Sequence, residues 1–326
     1  MRTTRWHTRS RWQRWAAAAA LLAAAGCGGG TTAGAGSGPA PVRVGFSPLT
    51  LDFTSLQDVA NAMKATGESA GFSVQVADPK LNVQTQVTQL QQWIQLRQVD
   101  AIVVIAISPA AIKPLVAQAQ AAHIALVIDT QPRNMGYEGP FEGVSFDVTD
   151  YVAYGKAVGS LLGECLRTRL AGAQGSVLHL KDPRGQTGDV QTDKAITDSI
   201  TAAGGVVSRT LAPANQVAAQ QGVSTALQAV PGANAVAATN DSNAVGAANA
   251  FEQGGKNPAR SCIVGGATGR DSLSAINAGR LYGGVSFDFG QDSKQVMDLV
   301  KTMHANPSAP GRTLTVPIKT TRTPKP

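Results

Sequence analysis

Acidic residues are absent from the start of this 326-residue chain; the first is Asp52. Arg2, Arg5, Arg9, Arg11 and Arg14 stand in that stretch, so the formal charge of +7 belongs mostly to the amino-terminal end. Without those five, 23 basic residues face 21 acidic ones, and a near-neutral body lacks the basic face that nucleic-acid binding needs. Histidines number four and cysteines three, scattered without the spacing of a metal site. Charged residues are only 15%, yet hydrophobic residues reach 43%, which excludes a disordered chain. Beyond the leader no apolar run attains the roughly 20 residues that cross a bilayer. Catalytic motifs are missing too. Gly45-Phe46-Ser47-Pro48-Leu49 lacks the closing glycine of a nucleophile elbow. Gly265-Gly266-Ala267-Thr268-Gly269 is misspaced for a dinucleotide loop, and no phosphate-cradling Gly-Lys-Ser/Thr follows any strand. No cofactor and no metal are expected. Asp129 and Asp241 as a carboxylate pair flanking a glycosidic bond are the remaining, weaker enzyme reading.

The leader itself has the order of an export signal: basic residues, an apolar stretch from Ala16 to Ala25, then Gly26-Cys27. Ala24-Ala25-Gly26-Cys27 resembles the lipobox of bacterial lipoproteins, in which the cysteine carries the lipid after cleavage. Residues 28–41 are uncharged and rich in Gly, Ala, Thr, Ser and Pro, the composition of a flexible tether. Signal peptide 1–26, lipidated Cys27 and tether 27–41 would hold the body at the outer face of the cytoplasmic membrane. Cys165 and Cys262 form an even pair in an exported chain, either a disulfide or two small buried hydrophobes.

The body alternates strands and helices. Val99 to Ile107 and Ile124 to Thr130 are near-continuous β-branched runs, as in strands covered on both faces, and they flank a helix capped by Ser108 with Pro109 at its first position. Pro114 predicts a kink or restart in that helix. Similar units run from a strand at Val42–Phe46 to a last strand at Leu314–Ile318, interrupted by a Pro/Gly/Asn-rich stretch over 131–143. Strands alternating with helices at this spacing mean parallel sheets in an α/β fold, and so many units suit two lobes better than one. Polar turns after the strands carry Ser47, Thr50, Asp52, Phe53, Asp129, Lys181, Arg184, Asn240 and Asp241, on the sheet edge where open α/β folds bind ligands. Asp129 and Asp241 have a helix-capping alternative, Phe53 a core one, and Lys181 and Arg184 a solvated-loop one.

Gly71-Phe72, Asp78, Gln89 to Arg97, Val99 to Val104, Ala122-His123-Ile124 leading to Asp129, Asn240-Asp241 and Val264-Gly265-Gly266 occur in an order that resembles type I periplasmic binding proteins, in particular the ribose/galactose-binding receptors of ABC transporters. The resemblance covers roughly residues 42–320. It implies two Rossmann-like lobes with parallel sheets joined by three hinge crossings, near Thr149, Phe287 and Thr315. One lobe would hold 42–149 with 288–314, the other 150–287 with 315–326. It also implies a monomeric receptor that closes on a sugar-like ligand and delivers it to a membrane permease; presenting the ligand to a sensor is the alternative use. Asp129 falls on the family's hydroxyl-binding aspartate and Asn240 on its asparagine. Thr130 replaces a frequent arginine, Val190 another, Ala267 an aspartate, and Phe287-Asp288 stand near a glutamine. These departures widen the expected ligands to less polar or larger molecules.

Overall fold

The β-branched runs become two sheets. The computed structural model describes residues 40–324 apart from 172–173 and 184–186. Its first elements are β1 (Arg43–Ser47), α1 (Thr54–Ser69), β2 (Ser73–Val76), α2 (Val83–Gln95), β3 (Ala101–Ile105), α3 (Pro109–Ala121), β4 (Ala125–Asp129) and β5 (Val144–Val148). There follow α4 (Tyr151–Arg169), β6 (Ser176–Leu180), α5 (Thr187–Ala202), β7 (Val206–Leu211), α6 (Gln216–Ala229) and β8 (Ala235–Ala238). Then come α7 (Asp241–Gln253), β9 (Cys262–Gly266), α8 (Arg270–Asn277), β10 (Gly283–Phe287), α9 (Phe289–Ala305), β11 (Thr313–Thr315) and β12 (Ile318–Arg322).

The strand orders are β11-β5-β4-β3-β1-β2 and β12-β10-β9-β8-β6-β7. Within each, five consecutive strands repeat one doubly wound pattern, whose order reverses beside β1 and beside β6; such reversals open a crevice at the carboxyl ends of the strands. Each sheet takes its sixth strand from the chain's end. β11 joins β5 in parallel, whereas β12 runs antiparallel to β10. α9 follows β10 in sequence but packs on the first sheet, its Val296, Met297 and Val300 sharing a core with Val44, Phe46 and Val127. The chain therefore passes between the lobes after β5, after β10 and after β11.

Two expectations change here. The single last strand over Leu314–Ile318 is two short strands, one in each sheet. Pro317 lies between them; it has no N–H for a ladder, so the break falls where the chain changes lobes. Of the kink or restart expected at Pro114, the restart does not occur: α3 is continuous from Pro109 to Ala121. Ile112, Leu115, Val116 and Ala119 are all buried along it. Fully burying each of the three larger side chains stabilises by about 1.5–3 kcal/mol, enough to offset the ~3 kcal/mol that an interior proline costs.

Cys165 on α4 and Cys262 on β9 are joined by a disulfide inside the second lobe's core. No described helix is long and apolar enough to cross a membrane. Cys27 and the leader lie outside the described residues.

Candidate ligand-binding cleft

Asp129 is the last residue of β4, in register between Ile105 of β3 and Asp147 of β5. Side chains alternate along β4, so Ala125, Val127 and Asp129 share the face that α9 covers. Asp147 looks the same way, since Ser145 two residues earlier donates to the Met303 sulfur of α9. From α9 comes Asp292. Three carboxyls thus meet where β4, β5 and α9 converge, beneath the chain's crossings.

Asp147 and Asp292 are each 4% exposed. Their carboxyls lie within hydrogen-bonding reach of one another. Burial, then the neighbouring charges of Asp292 and Asp129, push Asp147 well above the usual carboxylate range. Burial also raises Asp292, against the Gln295 amide that donates to it at 2.7 Å. Asp147 Oδ1 has no hydrogen-bond partner. Asp129 is pushed up to about 7, chiefly by burial and further by the charge of Asp292.

In front of Asp129 lies a cleft of about 320 Å³ between the lobes. The first lobe contributes Leu49, Asp129, Thr130, Arg133 and Asn134 to its lining. Across it stand Tyr151 of α4 with Gly188 and Gln191 of α5. A Cβ on Gly188 would come within 2.8 Å of the Tyr151 ring, so the glycine sets how closely the ring lies on α5. Tyr151 also meets Phe287 edge-on, and Phe287 stacks on Tyr154 at 5.0 Å.

Of the residues singled out in the sequence, Asp129 and Thr130 line this cleft. The Thr130 hydroxyl accepts a hydrogen bond from Asn134 at 3.1 Å. Ser47 is fully buried, and its hydroxyl accepts from the Gln86 amide. Thr50, also buried, accepts from the Asp52 backbone N–H and shapes the turn on which Asp52 is exposed. Phe53 is 53% exposed at the start of α1, so it does not belong to the lobe core. Asn240 caps α7 through the Asn243 N–H. Asp241 accepts from Thr268 Oγ1 and the Gly269 N–H, tying the turn before α8. Asp288 caps α9. Lys181 is exposed beyond β6, and Arg184 lies outside the described residues. Phe287 belongs to the aromatic group below the cleft.

Sequence reasoning missed Arg133, Asn134, Tyr151, Gln191 and the Asp147–Asp292 pair. The first two lie in the Pro/Gly-rich stretch after Asp129, where no periodicity marks a role. Tyr151 carried a signal: it follows Thr149, the crossing at which an α/β pair of lobes must present side chains to both. Among the described residues no group of three or more His, Cys, Asp or Glu is arranged to hold a metal.

No curated protein sequence matches the chain. Solved structures share its fold. A periplasmic ribose ABC transporter protein from Conexibacter woesei superposes with a TM-score of 0.72 at 17% identity, covering 88% of this chain and 94% of that one. A solute-binding protein from Actinobacillus succinogenes with bound D-allose gives 0.68 at 17% identity, over 86% and 97%. One from Burkholderia graminis in complex with D-arabinose gives 0.66 at 16%, over 87% and 96%. The model of the periplasmic binding protein domain matches residues 44–306. With that match over most of its length, and two doubly wound lobes crossed three times by the chain, this protein belongs to the periplasmic binding protein family in its type I form.

Proposed function

We propose that the chain is the extracytoplasmic substrate-binding lipoprotein of an ABC importer, not an enzyme, and that it takes a sugar or sugar-like molecule into the interlobe cleft by hinge closure. In this reading 42–149 with 288–314 form one lobe and 150–287 with 315–326 the other, while Cys27 carries the lipid. The carrying observation is the cleft itself: a carboxyl and amides from one lobe oppose an aromatic ring and an amide from the other. Carboxylates and amides hydrogen-bond hydroxyls, and an aromatic face packs on the apolar face of a sugar ring. A ligand touching both walls favours the closed state by its differential affinity for it. Bound structures of relatives hold D-allose and D-arabinose, which supports the same class here.

The test is a thermal-shift panel of sugars, polyols and nucleosides on the purified full-length chain. A ligand at a hundredfold excess over its Kd stabilises by about 2.7 kcal/mol, a rise of roughly 4 °C for a chain of this size. Silence across the panel rejects the sugar reading, and turnover of any member rejects a pure receptor. For the anchor, Cys27→Ala is expected to move the protein from the membrane to the soluble fraction; unchanged membrane fractionation rejects lipidation at Cys27.

A further inference from the structure

The charge of the cleft is unbalanced on one side. Asp129 opens onto it, and no hydrogen bond or ion pair reaches its side chain from any described residue. Among the described residues, the charge that acts on it is that of another acid, Asp292. Behind it on the same sheet face stands Asp147, buried and within hydrogen-bonding reach of Asp292, and among the described residues the neutral donors that meet this pair are the Gln295 amide and the Val148 backbone N–H. Asp288 adds its negative charge from the start of α9. Arg133 is the one cation among the described lining residues, and it is exposed and makes no ion pair with Asp129. On the opposite wall stands Tyr151, 40% exposed, an aromatic ring of the kind that attracts cations.

A neutral hydroxyl can bond Asp129 but leaves its charge without a counterpart in a half-buried site. A positively charged donor satisfies the carboxylate oxygens and the charge together, and so favours the ionised form that burial and Asp292 oppose. We infer that the ligand of this cleft is a polyhydroxylated molecule carrying a protonated amine, an amino sugar or amino polyol, whose ammonium pairs with Asp129. This rests on the sugar-receptor reading above and names the member of that class the site selects.

The experiment compares amines with their neutral parents on the full-length chain at pH 7.5 by calorimetry: D-glucamine against D-sorbitol, D-galactosamine against D-galactose and N-acetyl-D-galactosamine, within a wider set of such pairs. The amine of at least one pair is expected to bind tenfold or more tightly than its neutral partner. Asp129→Asn should erase that preference while the protein still melts cooperatively. Neutral members binding as well as or better than their amines overturn the inference and leave the sugar reading standing, as does a preference that survives Asp129→Asn. Absence of binding by amines and neutral parents alike overturns both.

Discussion

At Asp147 a carboxyl is held almost out of water beside two others, and the sign of its effect on stability follows from its proton. Asp129, Asp147 and Asp292 all titrate higher in the folded chain than the ordinary value of 3.8. As pH rises above that value the unfolded chain gives up these protons while the folded chain keeps them. Stability therefore falls with rising pH, and for Asp129 the fall ends near its folded value of about 7. Asp147→Asn supplies amide hydrogens to Asp292 and removes one proton from this balance. The variant is expected to exceed the wild type by about 1–3 kcal/mol at pH 8, a gain of several degrees in Tm, and by less at pH 5. Melting curves across that range check it; a variant less stable than the wild type at pH 8 would refute the account. Asp129 was legible in the sequence because it ends a β-branched run, where a polar residue has only the sheet edge to occupy. Asp147 was not, because its partner arrives from α9, far along the chain and after a second lobe has been built. The backbone-binding alternative read for Asp241 is the one the structure shows, whereas local pattern did not mark Asn240 and Asp288 as helix caps.

Helix pairs show the same division between local and distant information. α4 carries Gly155, Gly159 and Gly163 at intervals of four, which places them on one stripe. A Cβ at Gly155 would come within 2.5 Å of the Thr192 carbonyl, and one at Gly159 would strike the Ser199 side chain. α4 and α5 thus approach almost backbone to backbone, and α5 positions Gly188 and Gln191 at the cleft. Adding a methyl at such a contact forces the helices apart. Gly159→Ala is expected to lose about 2–3 kcal/mol, measured by denaturant unfolding, against a near-neutral Gly232→Ala, whose Cβ meets nothing within 4 Å. Equal effects at the two sites would contradict the packing account. Spacing alone reveals the stripe but not its partner. The strands and most helices were readable, since period and capping residues lie within one segment: Ser108 caps α3 through Ala111 N–H as its sequence suggests. The division of the last strand was not, because two adjacent short pieces, of three and five residues, are claimed by different sheets.

For the whole molecule the crossings decide how the lobes can move. The Val316 N–H donates to the Val148 carbonyl at 3.0 Å, joining the third crossing to the first. The Asp288 N–H donates to the Pro317 carbonyl at 2.7 Å, joining the third to the second. Gln295 bridges Asp292 and the Thr315 carbonyl, so the carboxyl group beneath the cleft is wired to the same place. In the closure proposed above, rotation about a few backbone angles there would bring Tyr151 toward Asp129. Closure makes the molecule smaller, whereas a ligand that merely sits on one wall does not. Small-angle scattering should therefore show a lower radius of gyration with any ligand that raises Tm. Tyr151→Ala should weaken that ligand at least tenfold while leaving the unliganded radius unchanged. A ligand that stabilises the protein with no change in radius would separate binding from closure, and the two-walled cleft would then have to be read as a one-walled site.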